Sequence, residues 1–344
     1  EFLKFNSELS NVNKNTLLVT GGAGFIGSAL IRQLITETDF TVINIDKLTY
    51  AGNLESLTEI DASPNYYFEQ ADICDAEAMD RIFTQYKPSA MMHLAAESHV
   101  DNSIKSPKTF IETNIVGTFN LLHCSKNYYQ NLEGKKKEDF KFLHVSTDEV
   151  YGSLELNDPK FSEDSKYLPN SPYSASKASS DHLVRAWFET YGLPTITTNC
   201  SNNFGPHQHG EKLIPTIIRS ATTDKIIPIY GNGQNIRDWI YVVDHIEGVF
   251  LALHNGKIGE TYCFGGEAER VNLEIADKIC EILDEIKPKN NGKSYKEQIK
   301  FVEDRLGHDK RYAIDNMKVN KELGFKPSKA FEERLKETVI WYLK

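Results

Sequence analysis

TLLVTGGAGFIGSALIRQLI, Thr16 to Ile35, decides the fold. The β-favouring run Thr16 to Thr20 leads into Gly21-Gly22-Ala23-Gly24-Phe25-Ile26-Gly27, and a helical apolar pattern continues through Ile35. Between a strand and a helix, glycines spaced G-x-x-G-x-x-G let the backbone turn tightly. They also let it approach a pyrophosphate, which the helix N-terminus attracts. Chance loops contain such glycines, but here both flanks carry the right periodicity. FTVINID, Phe40 to Asp46, reads as the next strand, and its last residue lies roughly 20 residues beyond the glycines. An acid there accepts hydrogen bonds from a ribose 2′-hydroxyl and repels a 2′-phosphate. Asp46 therefore favours NAD over NADP, while Lys47 beside it pulls weakly the other way. Gly21, Gly24, Phe25, Ile26 and Gly27 would line the dinucleotide, and Asp72, ending a third strand, could reach the adenine.

Outward from this motif, β-rich runs alternate with amphipathic segments. YYFEQAD (Tyr66 to Asp72), AMMHLA (Ala90 to Ala95), KFLHVST (Lys141 to Thr147) and PTITTNC (Pro194 to Cys200) read as strands. Helices are expected over Asp75 to Tyr86, Pro107 to Tyr129 and Tyr173 to Tyr191. Such alternation predicts an α/β fold, a Rossmann-type doubly wound parallel sheet. Ile73, Leu94, Ala95 and Ala96 would flank the dinucleotide at strand ends. After Cys200 the chain becomes rich in Asn, Gly, Pro and His, with a turn at Gly231 to Gly233, a helix near Asn272 to Ile286 and a surface loop over Lys287 to Glu297. We expect a flexible leader over 1–14, a dinucleotide domain over 15–200, and a smaller mixed α/β substrate domain over 201–344 with some segments returning to the first.

The 344 residues carry a net charge of −10 and no run long enough to span a membrane. An acidic chain is a poor general nucleic-acid binder. Five scattered cysteines with no CxxC pair fit a reducing compartment, the cytoplasm, and offer neither a metal site nor a disulfide framework.

HVSTDEVYGS, His144 to Ser153, places Asp148 and Glu149 at the end of an apolar strand. Buried charge is costly unless paired or used. Ligands of open α/β sheets bind beyond the strands' carboxyl ends, where these acids fall. Adjacent strand residues point to opposite faces, so both can meet one ligand only if the chain leaves strand geometry at about Asp148. Tyr173 and Lys177 in YSASK share a helix face. A nearby ammonium would lower the phenol's pKa and let it take a proton from an alcohol as hydride leaves.

TGGAGFIG, HLAAESHVD, STDEVYG and YSASK, in this order, resemble the extended short-chain dehydrogenase/reductases that act on nucleotide sugars. The likeness runs on through SNNFGPHQHGEKLIP, PIYGNGQNIRDWIYVVDH and DRLGHDKRYAID. Thr147-Asp148-Glu149 points within that family to the 4,6-dehydratases, and dTDP-glucose is the substrate this branch implies. The resemblance implies that Tyr173 takes the 4-hydroxyl proton, Glu149 takes the proton on carbon 5, Asp148 protonates the leaving 6-hydroxyl, and Thr147 holds the 4-oxygen. It also places Ser98, Asn202, Lys212, Tyr230, Arg237, Arg305 and Tyr312 near the nucleotide sugar, and implies a homodimer joined through Thr109 to Tyr129 and Ser174 to Tyr191. Two departures, Asn102 in HVDNS and Cys263 in YCFGG, leave UDP-glucose open. A 4-epimerase, or a sensor that binds NAD without catalysis, would have no use for the two acids.

Overall fold

The computed structural model describes residues 15–344; the expected leader lies outside them. The strands are β1 (Thr16–Thr20), β2 (Thr41–Asp46), β3 (Tyr66–Gln70), β4 (Ala90–His93), β5 (Lys141–Thr147), β6 (Thr195–Cys200), β7 (Asn202–Phe204), β8 (Ile227–Tyr230), β9 (Ile236–Tyr241), β10 (Thr261–Phe264), β11 (Glu269–Val271) and β12 (Ile299–Val302). The main sheet runs β10-β6-β5-β4-β1-β2-β3 and every pair in it is parallel. The strand order reverses between β1 and β4. A crevice opens at such a reversal, at the carboxyl ends of the strands.

Side chains alternate across this sheet. Leu17, Val19, Val42, Met92, Leu143 and Val145 face one layer, with the helices Phe25–Glu37 and Val242–Asn255. Leu18, Ile43, Ile45, Met91 and Phe142 face the other, with Ala76–Tyr86, Thr118–Gln130 and Pro172–Tyr191. Burial on both faces is why these strands read as near-continuous apolar runs. Each fully buried Leu, Ile or Val adds about 1.5–3 kcal/mol.

A second core gathers Phe204, Ile214, Ile217, Trp239, Ile275, Ile279 and Leu335. It is built on the sheet β11-β9-β7 and the pair β12-β8. β10 leaves this region and pairs with β6 in the main sheet.

Two expectations change. The helix foreseen over Pro107 to Tyr129 is interrupted: Ile111–Gly117 is a π-helical turn between Pro107–Phe110 and Thr118–Gln130. Within this turn the Asn114 side chain accepts from Glu97 N at 2.9 Å and donates to Glu97 O at 3.0 Å and Ser176 Oγ at 2.9 Å. The charged stretch Lys287 to Glu297 also ends inward, with Tyr295 buried and its hydroxyl donating to Lys287 O at 2.8 Å.

Candidate active site

A cavity of about 280 Å³ lies at the strand reversal. Its dinucleotide side is built by the glycine turn. Gly21 has φ +73°, and a Cβ there would sit 2.7 Å from the Ala95 backbone; a Cβ on Gly27 would sit 2.2 Å from Gly21 O. Gly24 caps the helix Phe25–Glu37 without a side-chain hydrogen bond, so the first-turn N–H groups keep no intrahelical acceptor. Asp46 is held at the wall by Ala23 N on Oδ2 (3.0 Å) and Leu48 N on Oδ1 (2.8 Å). A glycine cradle that a Cβ would fill, an uncapped helix start and a fixed acid together fit a dinucleotide. Gly21, Gly24, Phe25, Ile26, Gly27, Asp46, Lys47, Ile73, Leu94, Ala95 and Ala96 all line the cavity. Asp72 does not line it. Asp72 instead pairs with Lys47 Nζ at 3.4 Å, which matches the lysine's charge inside the protein.

The chemical side begins where β5 stops. Thr147 ends the strand and caps a 3-10 turn, Asp148–Tyr151, by accepting from Glu149 N at 3.3 Å. The chain therefore leaves strand geometry at Asp148, and Thr147, Asp148 and Glu149 all line the cavity. Asp148 is buried, and among the described residues its Oδ2 has no hydrogen-bond partner. Burial, then Glu149 and Asp238, hold its carboxyl well above the usual range against the pull of Arg237. Burial also raises Glu149, but Lys212, Arg237 and Arg305 oppose it. Both carboxyls are shifted toward the neutral form, with three cations opposing the shift at Glu149 and Arg237 alone at Asp148.

Tyr173 and Lys177 come from the helix Pro172–Tyr191. A reciprocal capping box between Ser171 and Ser174, with Pro172 in the first turn, fixes where that helix starts. Both side chains are buried at the cavity wall. Lys177 Nζ donates to Val145 O at 2.9 Å. The expected lowering of the phenol is not found. Burial, Glu149 and Cys200 push Tyr173 well above its ordinary value, with the Thr147 hydroxyl opposing. Burial lowers Lys177, against Asp181 and Cys200. Desolvation outweighs what sequence spacing suggested for this pair.

Ser98, Asn202 and Lys212 line the cavity, and Lys212 Nζ donates to Ser98 O at 2.8 Å. Tyr230, Arg237, Arg305 and Tyr312 are not on its wall; Arg237, Arg305 and Tyr312 act on Glu149, and Tyr230 lies under Arg305, 5.2 Å from its guanidinium. Arg237 and Arg305 both favour the Glu149 carboxylate, and Arg237 stacks on Tyr312 at 4.2 Å. Arg237 is buried and makes no bridge to Asp238; it donates to Asp309 O at 3.0 Å. Arg305 pairs with Asp101 at 2.6 Å, and Tyr230 donates to the same carboxylate at 3.0 Å. Cys263 is fully buried, with its sulfur 3.3 Å from the Tyr151 hydroxyl and away from the cavity, so that departure does not reach the wall. Asn102 donates to the Tyr50 hydroxyl at 3.2 Å. Sequence reasoning missed Glu97, Thr113 and Glu211 on the wall. Glu97 sits inside the quoted HLAAES stretch, whereas Thr113 reaches the wall from the π turn, which no spacing announced. Among the described residues no cluster of His, Cys, Asp and Glu could hold a metal ion.

The GDP-mannose 4,6 dehydratase family model matches residues 18–338. A dTDP-glucose 4,6-dehydratase of Shigella flexneri is 58% identical over 335 residues, covering 95% of this chain and 92% of that protein. One of Neisseria meningitidis is 55% identical over 329 residues, covering 95% and 93%. Among solved structures, the dTDP-glucose 4,6-dehydratase of Streptomyces venezuelae with NAD and TYD bound superposes with a TM-score of 0.86 at 42% identity, covering 95% of this chain and 97% of that one. Identity at this level along nearly the full length accompanies the strand reversal, the glycine cradle and the Thr-Asp-Glu turn: the chain belongs to the dTDP-glucose 4,6-dehydratase family.

Proposed function

We propose that this protein is an NAD-dependent hydro-lyase that converts dTDP-glucose to dTDP-4-keto-6-deoxyglucose and water. The observation that carries the reading is the turn at Asp148, which brings two adjacent carboxyl groups to one cavity beside Tyr173. NAD, when bound, supplies the hydride acceptor for carbon 4 and the donor for carbon 6. Tyr173 takes the proton of the 4-hydroxyl, and Thr147 holds that oxygen. The resulting 4-keto group acidifies carbon 5, and Glu149 removes its proton. Asp148, held neutral by burial and by its neighbour, gives a proton to the 6-hydroxyl as water leaves. The general acid and general base of an elimination must differ in protonation at one pH, and the three cations that act on Glu149 support assigning it the base's role. An epimerase turns its keto intermediate over and needs neither group.

Lys212, Arg237 and Arg305 supply positive charge for the substrate's diphosphate within an acidic chain. Residues 15–200 hold mainly the dinucleotide and 201–344 mainly the nucleotide sugar. We assign a homodimer: Ile111, Val116 and Phe119 in one helical segment and Tyr191 on the next are large apolar side chains left about half exposed. Phe119 packs edge-on against Trp187 at 5.7 Å and so joins the two helices into one face. The cytoplasm is the assigned compartment; among the described residues no helix is long and apolar enough to cross a membrane, and all five cysteines are free. The test is separate incubation with dTDP-glucose, UDP-glucose and GDP-mannose in the presence of NAD. Loss of water from dTDP-glucose alone supports the reading, and loss from another sugar reassigns the nucleotide.

A further inference from the structure

Asp181 is a buried carboxyl that the chemistry above does not use. It lies on the helix Pro172–Tyr191 one turn beyond Lys177 and two beyond Tyr173, so the three share a face. Four side chains from three other segments converge on it. Its Oδ1 is 3.0 Å from His144 Nε2. Its Oδ2 accepts from Ser146 Oγ at 2.9 Å, from the Tyr167 hydroxyl at 2.9 Å and from Asn199 Nδ2 at 3.3 Å. A carboxylate so engaged is held in place and cannot swing. Lys177, next to it, is buried, makes one hydrogen bond, to Val145 O, and has no direct ion pair among the described residues. A buried ammonium without a counter-charge is costly and reverts to the neutral amine.

We propose that Asp181 is a positioning residue for proton transfer, the fixed counter-charge that keeps Lys177 an ammonium without bonding to it. Charge without contact matters here. A direct salt bridge would turn Nζ along the helix toward Asp181, away from Val145 O and the cavity. The four donors hold the carboxylate back while its field reaches the lysine. The other groups facing Lys177 do not replace it. His144, on β5, is held neutral by burial, its pKa lowered to about 4, and His93, on β4, is lowered further by the same cause. Cys200, on β6, is pushed up to about 12 and stays a thiol. Tyr173 on the same helix is likewise raised, and Tyr167, from the preceding loop, is raised by burial. Asp148 is held protonated, and the Glu149 charge is matched by Lys212, Arg237 and Arg305.

This inference rests on the Tyr173–Lys177 proton step proposed above, and its test separates the two. The Lys177 side chain is titrated by NMR in lysine-labelled full-length protein with NAD added, its signal identified by its loss in Lys177→Arg. In the wild type the midpoint is expected to stay above neutrality despite burial, since buried lysines without a partner fall to roughly 5–6. A wild-type midpoint below neutrality overturns the proposal whatever the variants do. In Asp181→Asn the midpoint should fall by about 1–2 pH units. The alkaline limb of the rate of carbon-4 oxidation should move down by the same amount, with the rate at low pH, where Lys177 is charged in both proteins, near wild type. Tyr167→Phe removes a donor but keeps the charge, and should leave limb and midpoint in place. A Lys177 that titrates alike in wild type and Asp181→Asn, a rate depressed equally at all pH, or a Tyr167→Phe shift as large as that of Asp181→Asn contradicts the proposal. Unimpaired turnover by Lys177→Ala would instead remove Lys177 from the proton step and leave the titration result standing.

Discussion

Asp148 and Glu149 are neighbours in the chain and face the same cavity, because β5 ends at Thr147 and the next four residues form a 3-10 turn. Continued strand geometry would have sent them to opposite faces. Within the turn they meet in a buried environment that pushes both carboxyls up, with Lys212, Arg237 and Arg305 opposing the shift at Glu149.

Glu149→Gln should fold as the wild type does and still oxidise carbon 4, but elimination should slow by roughly 10²–10⁴-fold, the usual contribution of a positioned base. Tyr173→Phe should fail one step earlier. Rapid-mixing absorbance of the reduced cofactor distinguishes them: it accumulates in the first variant and does not appear in the second. Normal dehydration by Glu149→Gln would remove that residue from its assigned role.

Asp148→Asn should be as stable as the wild type at pH 4 and more stable at pH 7. The sign follows from linkage. The folded pKa of Asp148 is raised above its unfolded value, near 3.9. Its contribution is therefore fully present below that value and is lost as pH rises toward the folded pKa. The amide never ionises and loses nothing. Thermal melts from pH 4 to 8 check this: a melting-temperature difference that does not grow with pH contradicts the raised pKa.

Gly27→Ala should destabilise the fold by about 1–3 kcal/mol and abolish dinucleotide binding, since its Cβ would lie 2.2 Å from Gly21 O, a backbone atom with no freedom to retreat. Denaturant melts and NAD titration by calorimetry read the two effects separately.

Asp46→Asn should weaken NAD binding by roughly 10–100-fold, as expected for losing charged hydrogen bonds worth about 1.5–3 kcal/mol. Part of the loss comes from the protein itself, because the amide cannot accept from both Ala23 N and Leu48 N as the carboxylate does. Equal affinity of the two proteins for NAD would place the ribose elsewhere.

The fold was legible where local chemistry decides it. Gly21 and Gly27 sit where only a missing Cβ fits, Ser171 and Pro172 announce the helix that carries Tyr173, and the apolar runs of β1, β4 and β5 advertise burial on both faces. The sheet's parallel order follows from strand–helix alternation. What stayed hidden depends on distant partners. The π turn at Ile111–Gly117 goes with Asn114 reaching Glu97 and Ser176, and no periodicity in its own segment encodes that. Arg237 and Asp238 are neighbours in the chain, yet alternation along β9 sends the aspartate to Ala268 N and the arginine to Tyr312. Helical spacing puts Tyr173 and Lys177 on one face of their helix, and both line the cavity, but the phenol's direction of shift is set by burial and Glu149, which spacing does not carry.

The measurement that tests the central claim most directly uses dTDP-glucose deuterated at carbon 4, incubated with the protein and NAD and followed by mass spectrometry and NMR. The account predicts loss of one ordinary water and deuterium on carbon 6, because the hydride removed at the start is returned there after Glu149 and Asp148 have completed the elimination. Deuterium retained at carbon 4 in a sugar of unchanged mass and inverted configuration would contradict it and make this chain an epimerase.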